Sequence, residues 1–205
     1  MGRLPFDVAN LHPNIEVITS EENLNLFYAN NFVLNYCKVE NQYRIYPNIR
    51  DLSNRESSEY VTTPVSFPDV TIQKGKELQI VTYPEGFRDV CENRLEDESI
   101  DCVVTWFFLD TAHNVIEYIS LIEKLLTKDG IWVNMGGLDY MYEQFDGQTS
   151  IELPYELLKG IIIDLGFVFL KEKTLNNYVH MQDESLLQRD YNCPFFVCKK
   201  GGNKV

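Results

Sequence analysis

Two rhythms of apolar residues alternate along the chain: short continuous runs, and stretches in which they recur every three or four positions. That alternation is the signature of an open α/β sheet. Residues 15–19 (I-E-V-I-T) are the first expected strand. Leu26, Phe27, Asn30, Val33, Leu34 and Cys37 follow at helical spacing and predict a helix with one apolar face. Residues 44–68 show little pattern and are punctuated by Pro47, Asn48, Ser53, Asn54, Ser57, Ser58, Pro64 and Pro68. A long connection with room for one short element is expected there, of a kind that tends to be functional or mobile. Residues 78–82 (L-Q-I-V-T) form the second expected strand, closed by the turn Tyr83-Pro84-Glu85-Gly86.

Residues 101–109 (D-C-V-V-T-W-F-F-L) run apolar without alternation, which predicts a strand buried on both faces inside a parallel sheet. Val115, Ile119, Ile122 and Leu126 then mark a helix that Lys128-Asp129-Gly130 ends, before the strand 131–135. A further helix is expected from about Pro154 through Leu158, Ile161, Ile162 and Leu165 to a C-cap at Gly166. Strands at 167–170 and 194–198, joined by a long polar stretch, complete the order.

Open α/β sheets bind ligands beyond the carboxyl ends of their strands. Glu21 and Glu22 follow the first strand, Glu85, Gly86 and Phe87 the second, Asp110 the third, and Gly136-Gly137 the fourth. A carboxylate at Glu21 or Glu22 suits the two hydroxyls of a ribose; it equally suits the first turn of a helix. Phe87 can flank an adenine or sit in the core. Asp110 closes a very apolar run and is placed either as a helix N-cap or as a partly buried functional carboxylate. His113 stands apart from His12 and His180 without metal-ligand spacing, so no metal site is expected. Neither a G-x-S-x-G elbow nor a phosphate-binding G-x-x-x-x-G-K-[ST] loop occurs.

Composition narrows the field. The 205 residues are 44% hydrophobic, enough for one domain with a sizeable core. A formal net charge of −13 repels phosphate backbones, and nucleic-acid binding is not expected. The five cysteines, Cys37, Cys91, Cys102, Cys193 and Cys198, are odd in number and lack a C-x-x-C pair. They read as buried free thiols of a reducing compartment. With no membrane-length apolar run and no leader pattern, the expected location is cytoplasmic, with the nucleus a second compartment, and no membrane partner is expected.

The segment 106–118, W-F-F-L-D-T-A-H-N-V-I-E-Y, closely resembles the F-F-I-D-T-A-H-N-V-I-D-Y segment of the carnosine N-methyltransferase family. Residues 31–35 (N-F-V-L-N), 67–70 (F-P-D-V), 130–134 (G-I-W-V-N) and 150–153 (S-I-E-L) resemble family segments in the same order. Gly2-Arg3-Leu4 looks like the end of the family's G-x-G-x-G-R-L nucleotide loop. Coverage is essentially the whole chain. The resemblance implies an α/β Rossmann-like class I methyltransferase sheet with an antiparallel last strand, and S-adenosyl-L-methionine as cofactor. It implies cofactor contacts from Gly2, Arg3, Glu21, Glu85, Gly86 and Phe87, with Trp106 beside the cofactor. Asp110 would be the catalytic residue, holding the imidazole or amine of a small-molecule or dipeptide substrate, and Tyr191 would line the substrate pocket. The implied reaction is methyl transfer to the imidazole of carnosine. A homodimer is left open.

This sequence also departs from the family. It starts inside the glycine loop, so the first strand and the family's N-terminal region are expected to be missing from a single, incomplete domain over residues 1–205. Met1 reads as an internal methionine of G-x-G-M-G-R-L-P in a truncated gene model. The family's substrate-contacting histidine, after a G-P-L-L-Y-like turn, aligns with Met141, and one of two pocket tyrosines aligns with Arg189. A non-catalytic relic or binding protein, or a methyltransferase with a different acceptor, are the alternative expectations.

Overall fold

The computed structural model describes residues 2–12, 14–71, 78–143, 145, 147–178 and 185–201. Met1 and His180, which entered the sequence reading, lie outside them. The chain divides into two compact units, Met1–Val90 with Gln182–Leu187, and Cys91–Met181 with Gln188–Val205.

In the first unit, helix α1 (Arg3–Leu11) precedes strand β1 (Val17–Ser20), helix α2 (Leu24–Tyr36), strands β2 (Tyr43–Ile45) and β3 (Val65–Phe67), and strand β4 (Ile80–Tyr83). Helix α3 (Phe87–Asn93) follows. The pattern reading contained neither α1 nor α3. Pro5 sits in the first turn of α1, where the backbone N–H groups have no partner within the helix, so its missing donor costs nothing. Gly2 caps that helix with a left-handed backbone, φ 63°. Phe6 and Ala9, one turn apart, are its buried residues.

β1 and β4 pair in parallel, Val17 opposite Ile80 through Ser20 opposite Tyr83. α2 starts at Asn23, whose side chain accepts from the N–H groups of Asn25 and Leu26. None of its residues is fully buried, but Leu26, Phe27, Asn30, Val33 and Leu34 on the predicted face are half-buried and Cys37, just past its end, is buried. The 44–68 connection is more ordered than expected. Tyr43–Ile45 and Val65–Phe67 pair antiparallel, and Ser58–Thr62 forms a 3₁₀ turn that buries Tyr60 and Val61.

The second unit holds strand β5 (Ile100–Trp106), helix α4 (Val115–Leu125), strand β6 (Leu126–Met135), helix α5 (Tyr155–Asp164), and strands β7 (Phe167–Tyr178) and β8 (Asp190–Lys200). They form a four-stranded sheet in the order β5-β6-β8-β7. β5 and β6 are parallel, while β8 runs antiparallel to both neighbours. The antiparallel last strand is therefore present. Val115, Ile119, Ile122, Trp132, Leu158, Ile162 and Phe196 are fully buried, each aliphatic side chain contributing about 1.5–3 kcal/mol. Three polar groups lock the strands together. Trp132 Nε1 donates to Thr105 Oγ1 at 2.9 Å, and Thr105 Oγ1 donates to Asn134 Oδ1 at 2.7 Å. Asn134 Nδ2 donates to the Pro194 carbonyl at 3.4 Å, so these buried groups are satisfied.

β5 differs from its expectation in two ways. Among the described residues it pairs with β6 alone, at the edge of its sheet, and Asp101, Cys102, Val104 and Trp106 are exposed. The apolar run therefore does not mark a strand buried on both faces; of the side chains of β5 only Thr105 is buried. The strand also ends at Trp106, three residues early. Phe107 adopts a left-handed backbone, φ 46°, donates its N–H to the Met135 carbonyl at 2.8 Å, and turns the chain into a 3₁₀ turn over Leu109–Thr111. Four of the five cysteines are buried and Cys102 is exposed on this edge. Burial pushes the Cys91 and Cys198 thiols up to about 12. Among the described residues no helix is long and apolar enough to cross a membrane.

Candidate functional site

The first unit gathers Gly2 and Glu21 around one hollow of about 120 Å³, with Pro5, Thr19, Ser20, Asn30 and Thr82 among its other walls. The carboxyl ends of β1 and β4 are tied there by Glu21 N–H donating to the Tyr83 carbonyl at 3.0 Å. Gly2 suits this wall, its conformation being the stronger reason because the Asn30 side chain can shift. Its backbone is left-handed, and a Cβ would meet Asn30 Oδ1 at 2.9 Å. Glu21 Oε1 accepts from Asn23 N–H at 3.0 Å, so the carboxylate supports the entry to α2 while lining the hollow. The volume is below the roughly 300 Å³ of the smallest drug-sized sites.

Glu85, Gly86 and Phe87 are half-buried at the start of α3. A Cβ on Gly86 would lie 3.0 Å from Glu22 Oε2, so both glutamates of the 21–22 pair stand at this end of the strands, Glu22 against the turn and Glu21 in the hollow. Arg3 does not line the hollow. Its Nε donates to Asp7 at 2.8 Å and its guanidinium also pairs with Asp69.

The second unit places Met141, Arg189 and Tyr191 around an open hollow of about 780 Å³, together with Asp139, Tyr140, Phe145, Gln188 and Asp190. Asp110 stands one hydrogen bond behind it. Asp110 Oδ2 accepts from the Asp139 N–H at 3.2 Å, and the Asp110 carbonyl accepts from Met141 N–H at 2.9 Å. The N-cap alternative for Asp110 gives way to Asn114, whose side chain accepts from Ile116 and Glu117 N–H at 3.1 and 3.3 Å and opens α4. Asp110 is left buried, 8% exposed. Burial raises its pKa, the Asp139 charge adds to that, and the Asp139 N–H opposes it.

Tyr191 donates its hydroxyl to Asp139 Oδ2 at 3.0 Å. Burial and that bond raise its pKa while the Arg189 guanidinium lowers it. Phe107 meets the Tyr191 ring edge-on at 5.9 Å, and Trp106 packs against Phe107 at 6.2 Å. Two glycines make this closeness feasible. A Cβ on Gly136 would lie 2.9 Å from the Phe107 backbone, and one on Gly137 would lie 2.9 Å from Tyr191 Cδ1.

The chain leaving the hollow is held by Tyr140, which donates to the Leu153 carbonyl at 2.7 Å. His113 stacks on Tyr142 at 3.5 Å and its Nδ1 lies 3.1 Å from the Thr149 carbonyl, where only a donor fits. His113 thus serves as a brace for this loop. Among the described residues no group of three or more His, Cys, Asp or Glu could hold a metal ion.

Sequence reasoning passed over Asp139, the residue that joins Asp110 to Tyr191. The available signal was an acidic side chain in the Gly136–Tyr140 turn at the carboxyl end of a strand. It also missed Asn30, which faces Gly2 from α2, and Phe107, whose left-handed backbone has no signature in a non-glycine residue.

A family model described as carnosine N-methyltransferase matches residues 1–202. The carnosine N-methyltransferase of Mus musculus is 36% identical over 205 residues, covering 98% of this chain and 49% of that protein. The carnosine N-methyltransferase unmet of Drosophila melanogaster is 37% identical over 201 residues, covering 98% of this chain and 43% of that protein. The chain thus spans about half the length of the curated relatives it matches. Among solved structures, a SAM-dependent methyltransferase from Methanosarcina mazei aligns with a TM-score of 0.57 at 9% identity, covering 98% of this chain and 88% of that one. TehB from Haemophilus influenzae aligns with a TM-score of 0.56 at 14% identity, covering 97% and 54%. Both likenesses concern the fold, a Rossmann-like methyltransferase sheet.

Proposed function

Because the chain belongs to the carnosine N-methyltransferase family, we propose that residues 1–205 form one methyltransferase domain that uses S-adenosyl-L-methionine to methylate the imidazole of carnosine or a related histidine-containing small peptide. The observation that carries this reading is the chain of contacts from Asp110 through Asp139 to Tyr191, with Met141 and Arg189 on the same hollow.

The cofactor residues fit in part. Gly2 offers a wall without a side chain and Glu21 a carboxylate for ribose hydroxyls, with Glu85, Gly86 and Phe87 proposed for the adenine side and Trp106 beside the donor. Arg3 is the weakest member, since its guanidinium is already held by Asp7 and Asp69. The sulfonium supplies a methyl group activated for direct transfer, so the protein's task is alignment and charge placement.

In this reading a neutral imidazole, with a pKa of about 6.5 in water, presents one nitrogen lone pair to the methyl carbon. On transfer a new N–CH₃ bond would replace the donor's S–CH₃ bond, whose electron pair would stay with sulfur. Asp110 accepts the N–H of the other ring nitrogen, fixes the tautomer, and stabilises the imidazolium that develops. Its burial strengthens that interaction by removing competing water. Tyr191, anchored by Asp139, forms a wall of the acceptor site.

Met141 favours a second reading in which the acceptor differs from carnosine. Its thioether lines the hollow and cannot donate a hydrogen bond. Incubation of the protein with labelled S-adenosylmethionine and a panel of carnosine, free histidine and histamine separates the two. Label on the imidazole of carnosine supports the first reading; label on another member of the panel alone supports the second; label on none overturns both.

A further inference from the structure

We infer that Asp139 is a specificity-determining residue that holds an ammonium group of the acceptor, separate from the nitrogen that receives the methyl. The inference rests on the acceptor site proposed above and deepens it by giving the acceptor a second, positively charged nitrogen. Asp139 is exposed at the hollow, and its position is doubly fixed. Its N–H is given to Asp110 and its Oδ2 receives the Tyr191 hydroxyl. A carboxylate offers about four acceptor positions, and Tyr191 takes one of them.

The charges around the hollow have a sign. Asp139 and Asp190 stand against one cation, Arg189, and the buried Asp110 lies directly behind. Such a surface attracts a cation and disfavours an anion. An ammonium has no lone pair, so it cannot attack a sulfonium methyl group. A cation held at Asp139 is therefore a handle, and the reacting nitrogen is a different, neutral one. The acceptor class this describes is an imidazole carrying a free amine, as in a dipeptide with an unblocked amino terminus. Met141 cannot provide such a contact, whereas Asp139 can.

The test is calorimetric titration of the whole chain, in the presence of S-adenosylhomocysteine, with carnosine and with N-acetylcarnosine, whose amine is neutral. Wild-type protein is expected to bind the free-amine peptide roughly fivefold more tightly, as for an exposed charged pair, with the preference shrinking as salt is added. Asp139→Asn should abolish the preference by weakening carnosine binding alone, and Asp139→Glu should retain much of it. Equal wild-type affinity for the two peptides, or an equal loss of both in Asp139→Asn, overturns the inference and leaves the acceptor site standing. Binding of neither peptide overturns the acceptor site itself, and the inference with it. Should Asp139→Asn fail to fold, the salt dependence of the wild-type preference decides alone, a salt-independent preference counting against the pair.

Discussion

Gly137→Ala probes the acceptor site with the smallest side chain available. Gly137 is outside the left-handed region, so the backbone tolerates alanine and the whole effect is steric. The added Cβ would lie 2.9 Å from Tyr191 Cδ1, 3.4 Å from Cε1 and 3.7 Å from Cγ. Reaching an ordinary contact of 3.4 Å requires the ring to retreat by 0.5 Å, the difference between 3.4 and 2.9. The hydroxyl starts 3.0 Å from Asp139, and a retreat of that size along the bond carries it to about 3.5 Å, where a hydrogen bond is all but lost. Losing that bond costs about 1 kcal/mol, which is roughly a fivefold weakening if it is felt by the bound acceptor, and overpacking costs about 1–3 kcal/mol of stability. The assay pairs a melting curve with titrations of carnosine and S-adenosylhomocysteine. Expected are a melting point lower by several degrees, carnosine affinity down about fivefold, and S-adenosylhomocysteine affinity within twofold. A variant that melts lower yet binds carnosine as well as wild type would refute the link between Gly137, Tyr191 and the acceptor.

Further outcomes follow from the same contacts. Asp110→Asn should lower kcat by about 10²–10⁴-fold with little change in S-adenosylhomocysteine affinity, and equal losses in steady-state turnover and titration would remove its catalytic role. The same variant carries a pH signature. Burial raises the folded pKa of Asp110 above its ordinary value of 3.8, so the group's stabilising contribution is full below that value and lost as pH rises through the folded one. Asp110→Asn should therefore melt higher than wild type near neutrality, with the advantage closing in acid; a melting-point difference independent of pH would contradict this. Asn114→Ala removes both cap bonds of α4 and should cost about 1 kcal/mol in denaturant unfolding, a loss that Asn114→Asp should largely restore. Glu21→Ala should weaken S-adenosylhomocysteine about tenfold, as for a lost hydrogen bond to a charged group, while carnosine titrates as in wild type.

The legible parts of the fold were those with strong, long periodicity. Val115, Ile119 and Ile122 repeat on one face, and the structure buries all three completely; Gly166 ends α5 with the expected left-handed backbone, φ 98°. α1 hid because Pro5 argues against a helix anywhere but in a first turn, and α3 because its seven residues offer too few apolar positions to show a period. β2 and β3 are three residues each, held by pairing and by the stacked rings of Tyr43 and Phe67, neither of which shows in local composition. The end of β5 was misplaced because Phe107, Phe108 and Leu109 are as apolar as the strand before them. Leu109 earns its burial, at 3% exposure, in the turn after the strand.

Of the proposed site residues, Asp110 and Tyr191 come from the resemblance, and the structure links them by hydrogen bonds through Asp139. Asp139 is not legible in this way because an acidic residue in a turn is ordinary and its two bonds are to residues far along the chain. Arg3 was placed by its motif, yet side-chain partners three-dimensionally near it, Asp7 and Asp69, decide where its guanidinium goes.

The most direct measurement is a crystal structure of the protein with S-adenosylhomocysteine and carnosine bound. Expected are an imidazole nitrogen within hydrogen-bond distance of the Asp110 carboxylate, the other nitrogen facing the sulfur, and the ribose hydroxyls on Glu21. Carnosine bound away from Asp110, or with its imidazole turned from the sulfur, would contradict this arrangement.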